Sequence, residues 1–135
     1  VELYGLVRQV LAPGGALVVQ CGSPFFAPEA FWTCEATLEA AGWAPTPYHV
    51  DVPSFGDWGF HLAQPAPPDR SGAPLVGPVP VVDPRLEVRF LTGDVLRAAQ
   101  VFPPDVARER VTVRASTILD PSIVEAAQGA WIGYS

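Results

Sequence analysis

The spacing of apolar residues changes several times along the chain, and each change marks an element. Over 1–11, Leu3, Leu6, Val7, Val10 and Leu11 recur at helical intervals with Glu2, Arg8 and Gln9 opposite, which predicts a helix laid against a sheet. Ala12-Pro13-Gly14-Gly15 stops that helix. The apolar run Ala16-Leu17-Val18-Val19, ending in Gln20, then predicts a short strand buried on both faces, as in the interior of an open α/β sheet. Ser23-Pro24-Phe25-Phe26 reads as an exposed aromatic loop. Pro28 and Glu29 suit the first turn of a second helix, whose stripe is Phe31, Cys34, Leu38 and Ala41, with Trp32 and Glu35 to its side and Gly42 at its end.

Two further strands are predicted, over 45–52 and 58–63. The intervening Pro53-Ser54-Phe55-Gly56-Asp57 is too short for a crossover helix, so these two strands must run antiparallel. From 64 to 84, prolines at 65, 67, 68, 74, 78, 80 and 84 rule out regular elements and predict an extended connector. Beyond it, 85–91 reads as a short strand, and Thr92 as the N-cap of a helix carrying Val95, Leu96, Ala99 and Val101. Val111 to Ala115 alternates weakly, and Asp120-Pro121 reads as the cap of a last helix through Ile123, Val124, Ala127 and Trp131. The expected organisation is an α/β unit over 1–64, a Pro-rich connector over 65–84 and a mainly helical extension over 85–135.

Charge narrows the function classes. The 135 residues carry a net charge of −6, and all eight basic residues are arginines, six of them between Arg85 and Arg114. Glu2, Glu29, Glu35, Glu39, Asp51 and Asp57 face only Arg8 in the first 64 residues. That half repels a phosphate backbone and suits a cationic ligand, so nucleic acid is not an expected partner. No run approaches the roughly eighteen apolar residues of a membrane span. With Met 0 and a first residue already inside a helix, the sequence is expected to continue upstream.

Several common site signatures are missing. Gly14-Gly15 precedes its strand and has no Lys-Ser/Thr after it, so it is a turn and not a phosphate cradle. Cys21 and Cys34 show no metal-ligand spacing and read as buried free thiols of a reducing compartment, and His49 and His61 have no ligand-type partner at fixed spacing, so no metal is expected. His49 reads as a hydrogen-bonded residue at a strand edge, with a base as the alternative. Ligands of open α/β sheets collect beyond the carboxyl ends of strands, which draws attention to Gln20. Its amide suits either a ligand or the next loop's backbone. Asp57 suits either a tight turn or, beside Trp58, an ammonium group, since a carboxylate and an aromatic face together hold an amine.

The blocks from Leu11 to Gln20 with Ser23-Pro24, Pro47-Tyr48-His49-Val50, and Pro53-Ser54-Phe55-Gly56-Asp57-Trp58-Gly59-Phe60 resemble the C-terminal half of the spermidine synthase (polyamine aminopropyltransferase) family. The likeness is to its bacterial branch, often preceded by membrane-spanning segments, and continues through Arg89-Phe90-Leu91, Val101-Phe102-Pro103-Pro104-Asp105 and Trp131. It implies the C-terminal part of a class I methyltransferase-like (Rossmann-like) sheet ending in an antiparallel strand pair. It also implies transfer of the aminopropyl group of decarboxylated S-adenosylmethionine, as co-substrate, to putrescine or a similar polyamine substrate.

By position, Gln20 matches the family's glutamine near the amine, and Ser54, Asp57 and Trp58 lie in the loop that closes the same pocket, making these four the candidate substrate-binding residues. Val52 stands where soluble members have a tyrosine. The family's nucleoside loop and catalytic aspartate lie upstream of Val1, so the chain alone is expected to bind no cofactor, to be inactive, and to self-associate where its missing N-terminal half would pack. The implied location is cytoplasmic, with the intact protein membrane-anchored where upstream segments supply the anchor. The alternative from a different class is a noncatalytic binding or assembly module that keeps the fold remnant.

Overall fold

The computed structural model describes residues 1–67 and 77–133. The chain runs α1 (Glu2–Val10), β1 (Leu17–Gln20), α2 (Pro28–Ala40), β2 (Trp43–Val52), β3 (Gly56–Pro65), α3 (Gly93–Ala98), α4 (Pro104–Ala107), a 3-10 turn (Arg108–Val111) and α5 (Ser122–Ile132). The sheet order is β1-β3-β2, and β3 is antiparallel to both neighbours. β1 and β2, joined through α2, therefore point the same way with β3 inserted between them. The antiparallel pair is the one required by the short turn after Val52. Both strands are longer than the apolar pattern suggested, because ladder pairing continues from Trp43↔Pro65 to Val52↔Gly56.

The core lies between this sheet and α2. Leu38, Cys34, Trp43 and Ala63 form its centre, with Tyr4, Val7, Leu11, Leu17 and Val19 packed around them. Trp43 is fully buried and its indole N–H donates to the Tyr4 carbonyl at 3.1 Å, which ties α1 to the start of β2. Where β3 passes under α2, Gly59 leaves room for the Phe31 ring. A Cβ there would come within 2.6 Å of Phe31 Cδ2 and 3.0 Å of the Gly22 carbonyl oxygen.

Several expectations are corrected. β1 is not buried on both faces: exposed and half-buried residues alternate along it, and Val18 is 54% exposed. No strand pairs with its other edge among the described residues. α1 uses only part of the face expected of it: Val7 and Leu11 meet the core, together with Tyr4, while Leu3, Leu6 and Val10 stay exposed. Trp32 and Glu35 are buried rather than lateral, because the C-terminal segment covers that side of α2. The 85–91 stretch forms no strand. Asp120 does not cap α5; its carboxylate accepts from Arg114 instead, and the helix begins at Ser122 after Pro121. Thr92 does cap α3, accepting the Val95 N–H at 3.2 Å. Part of the expected connector, 68–76, lies outside the described residues, and 77–84 holds no regular element.

The C-terminal extension is fixed to α2 by specific bonds. Trp32 Nε1–H donates to the Val106 carbonyl at 2.7 Å. Thr37 Oγ1 donates to the Thr33 carbonyl at 2.6 Å and accepts the Ser116 N–H at 2.8 Å. Glu35, with its side chain 3% exposed, accepts a hydrogen bond from Arg110 Nη2 at 2.9 Å, and its other oxygen lies 2.6 Å from Arg110 Nε in an ion pair. Fixing this extension places α5 beside α2, so that its apolar residues can wall the space next to β1.

Candidate functional site

A cavity of about 670 Å³ opens beyond the carboxyl end of β1. Gln20 and Cys21 reach it from the strand exit, Phe26 from the following loop, Asp57 and Trp58 from the start of β3, and Trp131 from α5. Phe26 and Trp131 meet edge-on at 4.8 Å between ring centres, so the aromatic loop and the last helix close one wall together. An apolar enclosure with a few converging polar groups is the usual form of a small-molecule site.

Three of the four residues singled out in the sequence, Gln20, Asp57 and Trp58, therefore share one cavity. The fourth, Ser54, does not line it. Ser54 instead takes the exposed corner of the turn with φ 72, a left-handed conformation, followed by Phe55 donating to the Val52 carbonyl at 2.9 Å and by Gly56 at φ 80. Trp58 is oriented by its indole N–H, which donates to the Phe55 carbonyl at 3.2 Å. The Gln20 side-chain amide makes no hydrogen bond to another described residue, which leaves both of its ends for a ligand.

Asp57 is already engaged. Its two oxygens lie 2.9 Å and 3.1 Å from His49 Nδ1, while His49 Nε2 lies 2.9 Å from the Val101 carbonyl. With its backbone N–H also donating to the Ala99 carbonyl at 2.8 Å and its ring packed on Phe102, His49 clamps the extension to the sheet and holds Asp57 at the cavity. The expectation that His49 is a hydrogen-bonded residue is met by these contacts.

The cysteines correct the sequence reading: Cys21 and Cys34 are joined in a disulfide, with their Cα atoms 6.4 Å apart. The short loop between β1 and α2 lays the strand exit against the helix, and this brings the two sulfurs together. His61 Nδ1 approaches Cys21 Sγ at 3.2 Å, completing a sulfur–sulfur–nitrogen cluster that sequence reasoning missed. Its members come from three separate elements, so no short spacing motif announces it. His61 is fully buried, and burial pushes its imidazole down to about 3, so it is neutral.

Comparison with known proteins supplies the family. A polyamine aminopropyltransferase of Streptomyces coelicolor is 48% identical over 137 residues, covering 99% of this chain and 24% of its own length. One of Mycobacterium tuberculosis is 48% identical over 135 residues, covering 96% of this chain and 23% of its own. Another, of Oceanobacillus iheyensis, is 36% identical over 98% of this chain and 25% of its own length. The chain belongs to the polyamine aminopropyltransferase family. It spans about a quarter of the length of these curated relatives. No family model matches it.

Proposed function

We propose that this chain supplies the amine-binding side of a polyamine aminopropyltransferase and forms the C-terminal part of its class I methyltransferase-like sheet. The observation that carries the reading is the convergence of Gln20, Asp57 and Trp58 on one largely apolar cavity beyond the end of β1. An incoming diamine has one end that must be neutral to attack and one that stays an ammonium. An amide, a carboxylate and an aromatic face are the groups that hold such a molecule in line.

In the proposed reaction the amine nitrogen bonds to the propyl carbon next to the sulfonium of decarboxylated S-adenosylmethionine. The carbon–sulfur bond breaks, its electron pair neutralises the sulfur, and the new ammonium gives up a proton. The nucleoside contacts and the group that takes this proton belong to parts of the protein outside this chain. A cytoplasmic location is part of the proposal. Among the described residues no helix is long and apolar enough to cross a membrane.

Gln20→Ala and Asp57→Asn in the complete protein test the reading. Each is expected to lower kcat/KM for the amine about ten- to a hundredfold, the range of one lost hydrogen bond to a charged group, while nucleoside affinity stays within about twofold of wild type. Unchanged amine kinetics in both variants would remove the site, and no amine transfer by the wild-type protein would favour the noncatalytic module.

The unpaired edge of β1, together with exposed Val18, Leu3, Leu6 and Val10, is a template for pairing when the chain is produced alone. The isolated chain is expected to self-associate through the edge of β1 or the faces beside it. Sedimentation velocity over a concentration series checks it, and a single monomeric species throughout would contradict it.

A further inference from the structure

The cluster of Cys21, Cys34 and His61 has no part in the proposed transfer, and its chemistry suggests a separate use. Its three ligand atoms, two sulfurs and an imidazole nitrogen, lie within 4.8 Å of one another. In a tetrahedral zinc site, bond lengths of about 2.3 Å to sulfur and about 2.0 Å to nitrogen place neighbouring ligand atoms roughly 3.5–3.8 Å apart. The backbone already holds the three residues at that scale, and only side-chain rotation is needed to spread the sulfurs once their bond is reduced. We propose that in the dithiol state Cys21, Cys34 and His61 form a binding site for a thiophilic divalent cation of the zinc class, with the fourth coordination position facing the cavity.

Three observations support the assignment beyond proximity. His61 is fully buried, Nε2 has no hydrogen-bond partner among the described residues, and the contact made by Nδ1 is to the Cys21 sulfur. A buried imidazole held by so weak a partner is short of polar interactions, and a metal bond at Nδ1 supplies one. The Tyr4 hydroxyl lies 3.7 Å from Cys34 Sγ, placed to donate to a thiolate and so to act in the outer shell of the site. Finally, Cys21 and Cys34 both line the cavity, which gives an ion a route in and a water or ligand atom room at the open position.

The disulfide is the oxidised, metal-free form of the same site. A dithiol reductant passes two electrons and two protons to the Cys21–Cys34 bond, becoming a disulfide itself and leaving two thiols. The cation then binds two thiolates and the neutral imidazole, releasing the two thiol protons. Metal occupancy is thus expected only after reduction.

The test uses the complete protein, reduced and transferred to oxygen-free buffer, with Co²⁺ as the probe. Wild type is expected to develop the intense thiolate-to-cobalt charge-transfer absorption and tetrahedral d–d bands, both discharged by Zn²⁺. Protein with the disulfide intact should show neither. Cys21→Ser, at the half-buried position of the cluster, and Cys34→Ser should each lose most of the charge-transfer intensity, and His61→Gln should weaken binding about tenfold or more. Should the Cys34 or His61 variant fail to fold, Cys21→Ser decides alone. Absence of the charge-transfer band in reduced wild type, or a band unchanged in Cys21→Ser, would overturn the proposal. Neither readout involves amine transfer, so failure here is separable from failure of the proposed function.

Discussion

Arg110→Leu in the complete protein is expected to destabilise this part of the fold by about 3–5 kcal/mol at pH 8, and by about 1 kcal/mol less at pH 5. Glu35 is buried under the C-terminal segment, and Arg110 is the guanidinium that meets both of its oxygens. Leucine keeps the apolar stem and removes the charge, which strands a carboxylate out of water. Burial already outweighs the pull of Arg110, pushing the Glu35 carboxyl up from 4.5 to about 7, with Glu39 adding to the rise.

A folded value above the unfolded one means that the folded state keeps a proton which the unfolded chain has released. Glu35 therefore favours the fold fully below pH 4.5, and that contribution, about 3 kcal/mol at most, is lost as pH rises to about 7. Removing Arg110 raises the carboxyl further and extends the loss to higher pH. Urea unfolding of wild type and variant at pH 5 and pH 8 reads the difference. Glu35→Gln combined with Arg110→Leu should recover much of the loss, since no charge is then buried. A cost that is the same at both pH values, or no recovery in the double variant, would contradict this account of the pair.

Trp32→Ala is expected to cost about 3–5 kcal/mol, the range for emptying a fully packed indole site. Trp32 is 2% exposed and meets Phe31 and Phe102 edge-on. Its N–H holds the Val106 carbonyl, and the Arg110 guanidinium lies over its ring at 5.3 Å from the centre. Trp32→Phe retains most of the ring and loses the donor, so its cost should be about 1–3 kcal/mol. Because the indole docks 102–111 onto α2, the alanine variant should also expose that segment to proteolysis before the sheet opens. A loss below about 1 kcal/mol, or proteolysis no faster than wild type, would show that the extension is held elsewhere.

The parts of this fold legible in the sequence were those set by short-range rules. The turn after Val52 forced an antiparallel pair, Thr92 announced a cap, and Gln20 stood out as the polar end of an apolar run. What stayed hidden was set by partners far along the chain. Glu35 and Trp32 looked lateral because the residues that bury them, Arg110 and Val106, lie 75 and 74 positions away. α1 carries apolar residues on more than one face, and periodicity alone could not say that Tyr4 and Val7 would meet the core while Leu3 and Leu6 would not. Cys21 and Cys34, 13 residues apart, could be paired only once strand exit and helix were placed together. Asp57 was legible as a polar residue of the closing turn, but the His49 clamp that positions it depends on a carbonyl at Val101.

The most direct test is product formation by the complete protein. Incubated with decarboxylated S-adenosylmethionine and putrescine and followed by mass spectrometry, it is predicted to yield the aminopropylated amine and methylthioadenosine in equal amounts. Formation of neither product, with putrescine or with diamines of other lengths, by protein shown to bind the nucleoside would contradict the claim that this cavity is an amine site.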